Sequence, residues 1–174
     1  TRMYCQQEDW IYYLTVTNET YQMPPMPKLP NIREGIVRGM YRYQAGSKGS
    51  HKVHLLGSGA ILNEVLKAQQ ILAEQFKVKA DVWSVTSYKE LYMDAVECER
   101  WNLLHPDQEQ KQPYLAGLLK GEKGVFVAAS DYMKALPAAV AQWFPGPLHC
   151  LGTDGFGRSD TRDKLRDFFE VDAR

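Results

Sequence analysis

From Leu56 onward the apolar positions of this 174-residue chain change rhythm repeatedly, short unbroken runs giving way to stripes spaced three and four apart. Unbroken runs between turn residues suit strands covered on both faces, and the stripes suit helices lying on such a sheet. The runs predict strands at Tyr41–Gln44, Lys52–Leu56, Ala80–Val85, Gly124–Ala129 and Leu148–Leu151. The stripes predict a helix over Ala60–Phe76 with Leu62, Val65, Leu66, Leu72 and Phe76 on one side, a second burying Leu91, Ala95 and Cys98, and a short one over Tyr114–Leu119. Asp131–Phe144 is helical in pattern but broken at Pro137, which is expected to open a new helix. Strand and helix in regular alternation imply right-handed crossovers with helices on both faces, a three-layer α/β/α sandwich.

Local chemistry places the ends of these elements. Ser87-Tyr88-Lys89-Glu90 and Asn31-Ile32-Arg33-Glu34 have capping-box spacing, and Ile32, Ile36, Val37 and Met40 form a stripe after the second. Tyr41–Gln44 and Lys52–Leu56 flank Ala45-Gly46-Ser47-Lys48-Gly49-Ser50, which predicts an antiparallel hairpin. Upstream, Trp10–Thr17 is aromatic and β-branched, as strands are, and Asn18-Glu19-Thr20 ends it. Pro24, Pro25, Pro27 and Pro30 then make an extended linker, so residues 1–30 read as the end of a preceding unit with its linker, and 31–174 as the domain.

The stretch around which the rest is organised is Leu151-Gly152-Thr153-Asp154-Gly155-Phe156-Gly157-Arg158-Ser159-Asp160, a strand–loop–helix junction. Its glycines give the backbone freedom, Phe156 between two of them is expected to anchor the loop, and Asp160 is expected to cap a helix carrying Leu165, Phe168 and Phe169. Such a loop is a scaffold corner or an anion cradle. Arg158 and free backbone N–H groups favour the cradle, whereas Asp154 and Asp160 would repel an anion, and the corner is preferred.

Composition narrows the classes. With 21 basic and 21 acidic residues the formal charge is zero, so no global field draws the chain to nucleic acid or an anionic membrane. Cys5, Cys98 and Cys150 lack CxxC spacing and read as reduced thiols of a cytoplasmic protein. A start at Thr1 without Met or a signal-peptide pattern suggests an excised piece. Gly57-Ser58-Gly59 opens like a dinucleotide fingerprint, but Leu62 stands where its third glycine belongs and Asp81 begins the next strand instead of ending it. Among the histidines, His51 and His54 point to opposite faces of one strand without spacing for a zinc site, and His105, beside Arg100 and Trp101, is expected to brace a loop rather than move protons. Ser58, Ser130 and Ser159 precede helices, where capping explains them.

Several blocks together identify a family. LGTDGFGRSD resembles the last strand and loop of the C-terminal domain in the transketolase superfamily. The continuation TRDKLRDFFEVDA, with NETYQMPPMP, LLGSGAIL, DVWSVTSYKEL, ECERWNLLHP and ASDYMK, resembles the homodimeric decarboxylating component of the pyruvate dehydrogenase complex over nearly the whole chain. The resemblance implies a mixed sheet of about five strands whose first is antiparallel. It also implies thiamine-dependent decarboxylation of pyruvate and acetyl transfer to lipoyl groups on a dihydrolipoyl acetyltransferase core. Thiamine diphosphate and Mg²⁺ would be held by preceding domains, residues 1–30 would end the pyrimidine-binding one, and the chain would stop before the family's final segment. No catalytic, cofactor or metal residue maps here; Asp154, Arg158, Ser159 and His105 are kept as loop or anion-site candidates. The implied role is structural, in support of neighbouring domains and a homodimer in a bacterial cytoplasm. A free-standing module for lipoyl domains and a transketolase C-terminal domain are the alternatives.

Overall fold

Alternation along the strands decides the layers. The computed structural model describes every residue except Thr15, Thr17, Asn18, Lys48 and Ser50. Among the described residues the sheet has five strands, β1 (Met40–Gln44), β2 (Lys52–Gly57), β3 (Lys79–Val85), β4 (Val125–Ala129) and β5 (Leu148–Leu151), in the order β1-β3-β2-β4-β5. The first pairs antiparallel with β3, and the remaining pairs are parallel. Leu56, Trp83, Val85, Phe126 and Ala128 enter one core, while Leu55, Ala80, Val82 and Ala129 enter the other. Successive residues of each strand thus feed opposite faces, as pleating requires.

Helices cover both faces. After a 3-10 turn at Gly59–Ile61, α3 (Leu62–Phe76) supplies Val65 to the second core, and Val171 and Phe169, around the end of α7 (Arg162–Phe168), complete it. On the other face lie α4 (Tyr88–Leu104) and α5 (Tyr114–Leu118), which contribute Leu91 and Leu115, with Val140 and Phe144 following α6 (Ala135–Ala138). Crossovers running in opposite directions along the sheet use opposite faces, which right-handed connections demand. The turn α1 (Arg2–Cys5) and the helix α2 (Ile32–Arg38) precede the sheet.

Several expectations need correction. Strands β1 and β2 form no hairpin, because β3 lies between them. Their connection passes over the start of β3, where a Cβ on Gly46 would meet Ala80 O at 2.5 Å and one on Gly49 would meet Lys79 N at 2.5 Å. The glycines serve close backbone passage instead of a tight turn. Ser87 does cap α4, accepting from the Glu90 N–H at 3.1 Å, but Asn31 at α2 has left-handed φ (61°) and its side chain caps nothing. Gly35 is the buried residue of α2, and Ile36 and Val37 face solvent. Phe76 is 63% exposed, beyond the reach of the core that Leu62 and Leu66 touch. Pro137 sits in the first turn of α6 without opening it, because residues 131–134 are not helical. The strand expected over 10–17 does not form among the described residues, where Trp10, Ile11, Tyr12, Tyr13, Leu14 and Val16 are exposed; Thr15 and Thr17 lie outside them. No helix among the described residues is long and apolar enough to cross a membrane.

Candidate functional site

In doubly wound sheets ligands gather at the carboxyl ends of the strands where the connections change direction. Here that point lies between β2 and β4. It is bridged by two hydroxyls: Ser58 donates to Ser130 Oγ at 2.9 Å, and the buried Ser130 accepts from the Tyr132 N–H at 3.1 Å. Beyond it, under α7, is a cavity of about 380 Å³ lined by Glu19, Asp131, Thr153, Arg162, Arg166 and Phe169 among others. Its arginines are partnered, Arg162 with Glu19 at 2.9 Å and Arg166 with the largely buried Glu64 at 3.4 Å. Desolvation pushes the Asp131 carboxyl up, against the pull of Arg166 and Arg162.

The glycine loop borders this cavity and has two parts. Its base is fixed to the loop after β4: Thr153 N–H donates to Tyr132 O at 3.0 Å, Thr153 Oγ1 to Asp131 O at 2.6 Å, and Lys134 N–H to Asp154 Oδ1 at 2.9 Å. Gly152 is buried there, and a Cβ on it would meet Tyr132 O at 2.5 Å. Past Asp154 the tip of the loop, residues 155–157, is exposed. Gly155 has φ of +89°, a Cβ on Gly155 or Gly157 would meet nothing within 4 Å, and Phe156 is 97% exposed. Phe156 therefore anchors nothing among the described residues. Arg158 lies over the Phe168 ring at 4.1 Å, near Ser159 in a shallow depression shared with Lys164. Asp160 accepts from Thr161 N–H at 2.7 Å, and the N-cap position falls to Thr161, one residue later than expected.

Asp154, Arg158 and Ser159 thus share one loop, with the Asp154 carboxylate turned to Lys134 and Arg158 resting on an aromatic ring. His105 is elsewhere. Helix α4 begins at the carboxyl end of β3 and runs back, so its C-cap His105 lies toward the opposite edge, donating from Nδ1 to Trp101 O at 2.9 Å and stacking on the Trp101 ring at 3.7 Å.

At that opposite edge the structure assembles a cluster that motif spacing did not reveal. His54, Asp81 and Glu122 place ligand-type atoms within 4.8 Å of one another. Glu122 accepts from both Arg42 and Lys52, Lys52 also lies 3.3 Å from Asp81 Oδ2, and Asp81 Oδ1 accepts from Gly46 N–H at 2.8 Å. An ammonium thus already stands where a divalent ion would meet both carboxylates. His54 is fully buried, accepts from Trp83 Nε1 at 3.2 Å, donates to Lys123 O at 3.2 Å, and stacks on Phe126 at 4.3 Å. Burial pushes His54 below its ordinary value, leaving the ring neutral. Burial would raise Asp81 and Glu122, but the Gly46 N–H and Lys52 outweigh it for Asp81, and Lys52 and Arg42 for Glu122, so both stay below the usual carboxylate range. The signal in the sequence was phase: His54 shares its face with Leu56, and Asp81 with Trp83, each a polar interruption in an apolar strand.

Residues 39–172 match the transketolase-like TK C-terminal domain. The chain belongs to that family. It is 50% identical over 169 residues to the pyruvate dehydrogenase E1 component of Pseudomonas aeruginosa, covering 96% of this chain and 19% of that protein. To the protein of the same name from Escherichia coli it is 48% identical, covering 99% of this chain and 19% of that one. The chain therefore spans about a fifth of the length of these curated relatives. A split-gene transketolase structure superposes with a TM-score of 0.51 at 17% identity, covering 78% of this chain and 39% of that one, which shows the fold shared by the two. The expected mixed sheet with an antiparallel first strand is the one observed.

Proposed function

We propose that this chain is the C-terminal region of a bacterial homodimeric pyruvate dehydrogenase decarboxylating component, with residues 1–30 the end of a pyrimidine-binding domain plus linker and 31–174 the C-terminal domain. Identity of 50% and 48% over nearly all of the chain, to relatives some five times as long, carries the reading. The whole polypeptide would decarboxylate pyruvate with thiamine diphosphate and pass the acetyl group to lipoyl groups of a dihydrolipoyl acetyltransferase core, in the cytoplasm. Within it this domain braces its neighbours and a second copy.

The charged groups described above support a bracing role. Asp81 and Glu122 are neutralised by Lys52 and Arg42, and Arg162 and Arg166 by Glu19 and Glu64. Neither the strand cluster nor the glycine loop fits the cofactor: Lys52 holds the cation position between the carboxylates, and the loop meets an incoming diphosphate with Asp154 and Asp160. Thiamine diphosphate and Mg²⁺ would accordingly sit in other regions of the polypeptide. Calorimetric titration tests this. The 174-residue chain is expected to bind neither, while the full-length polypeptide binds both and releases CO₂ from pyruvate. Micromolar binding by the chain alone would defeat the structural role, and a full-length polypeptide without thiamine-dependent CO₂ release would defeat the assignment.

A further inference from the structure

Phe156 is the most solvent-exposed of the exposed large apolar residues, and it is held at the tip of a loop whose base is pinned by Thr153 and Asp154. Single exposed apolar residues are ordinary, but the segments that adjoin this loop carry several more of them. Tyr132 (65% exposed) and Met133 (57%) belong to the loop on which the base is pinned, and Phe168 (55%) lies beneath Arg158, two residues past the tip. Aromatic residues, methionine and arginine at the centre of a patch are the composition of a protein interface core. Charge on the rim is mixed, Asp154 and Asp160 against Arg158 and Lys164, which suits a protein surface and not a polyanion.

Two observations indicate what covers it. The curated relatives are some five times as long as this chain. The polypeptide arriving from the amino-terminal side lies on α7, the helix that follows the loop and carries Phe168: Glu19 pairs with Arg162 at 2.9 Å, and Arg166 donates to Tyr21 OH at 3.3 Å. The amino-terminal segment thus meets the domain at α7, the helix that also carries Phe168. We propose that Phe156, with Tyr132, Met133 and Phe168 around it, docks into an apolar pocket on an earlier region of the same polypeptide, a proposal that rests on the reading of this chain as part of a pyruvate dehydrogenase component. Gly155 and Gly157 keep the flanks of the knob bare, so that the pocket walls can close on the ring.

The test uses the full-length polypeptide, with Phe156 replaced by the photocrosslinker p-benzoylphenylalanine. Irradiation is expected to yield a crosslink at monomer mass, mapping by mass spectrometry to a peptide of the full-length polypeptide outside these 174 residues and amino-terminal to them. A crosslink at doubled mass, to another protein, or none at all overturns the proposal. Thiamine-dependent CO₂ release by the unsubstituted polypeptide reports separately on the reading beneath it, so the two can fail independently. As a second arm, a Cβ at Gly157 meets no atom within 4 Å among the described residues, so Gly157→Ala should leave the melting temperature of the 174-residue chain within about 1 °C, while lowering the inactivation temperature of the full-length polypeptide by several degrees. Equal shifts in both proteins would overturn docking at this loop.

Discussion

At the amino-terminal edge of the parallel strands Arg42, Lys52, Asp81, Glu122 and His54 close on one another around Trp83, whereas at the carboxyl-terminal edge Asp154, Arg158, Ser159 and Phe156 stand at the surface. Both edges contain charge and aromatic rings. The difference lies in where the partners come from: the first cluster draws on β1, β2, β3 and the approach to β4, so its side chains finish one another, while the second pairs its charges locally, Asp154 with Lys134 and Asp160 with Lys164, and leaves the aromatic knob exposed. One edge stabilises the sheet; the other is left for contact.

Substitutions can break that contrast, and the largest effect is expected at Glu122. Glu122→Ala removes the acceptor of both Arg42 and Lys52 and should cost about 2 kcal/mol in urea unfolding, less than a fully buried pair because both cations keep partial access to solvent. A cost below about 0.5 kcal/mol would place this cluster in the same class as surface pairs.

The cluster should also respond to acid. The value for His54 is depressed on folding, so the native state binds fewer protons than the unfolded chain, and stability rises with pH. That contribution is present above about pH 6.5 and is lost as pH falls toward the folded value; the depressed values of Asp81 and Glu122 add a further loss below about pH 4. Melting temperature should therefore fall from pH 7 to 5, and His54→Gln should flatten that part of the curve. A rise on acidification would contradict the neutral, buried His54.

The carboxyl edge is expected to divide within itself. Gly152→Ala, forced against Tyr132 O, should cost about 1.5 kcal/mol; Gly155→Ala, uncrowded but at positive φ, about 1 kcal/mol. If the order reverses in chemical denaturation, the loop is not pinned at its base. Smallest of all, Phe156→Ala should change the stability of the isolated chain by less than about 0.5 kcal/mol, since the ring is nearly fully solvated. A larger loss would mean that Phe156 packs within the chain after all.

Layering and strand positions were legible in the sequence because buried parallel strands are runs of apolar residues and Ser87-Glu90 spacing marks a real cap. The order of β1 and β2 was not. Seven residues, 45–51, can reach about 24 Å, and passing one strand needs only about 10 Å, so the same loop permits a hairpin or a skipped strand. Phe156 was read as an anchor because an apolar residue between glycines normally turns inward; burial depends on what surrounds the tip, and here the ring is left 97% exposed. His54, Asp81 and Glu122 come from three separate segments, and strand register, which motif spacing does not encode, brings them together.

The close approach of Gly46 and Gly49 to the start of β3 sets an order of assembly. Strand β1 is next to β2 in the chain, yet its partner in the sheet, β3, is made only after α3 has crossed. The β2–α3–β3 unit has the more local contacts and should form first, β1 then closing along its free edge with Gly46 and Gly49 laid against a strand already in place. Pulse-labelled hydrogen exchange during refolding would show this as protection of the amides of β1 no earlier than those of β3. Protection of β1 ahead of β3 would mean that the edge strand templates the sheet.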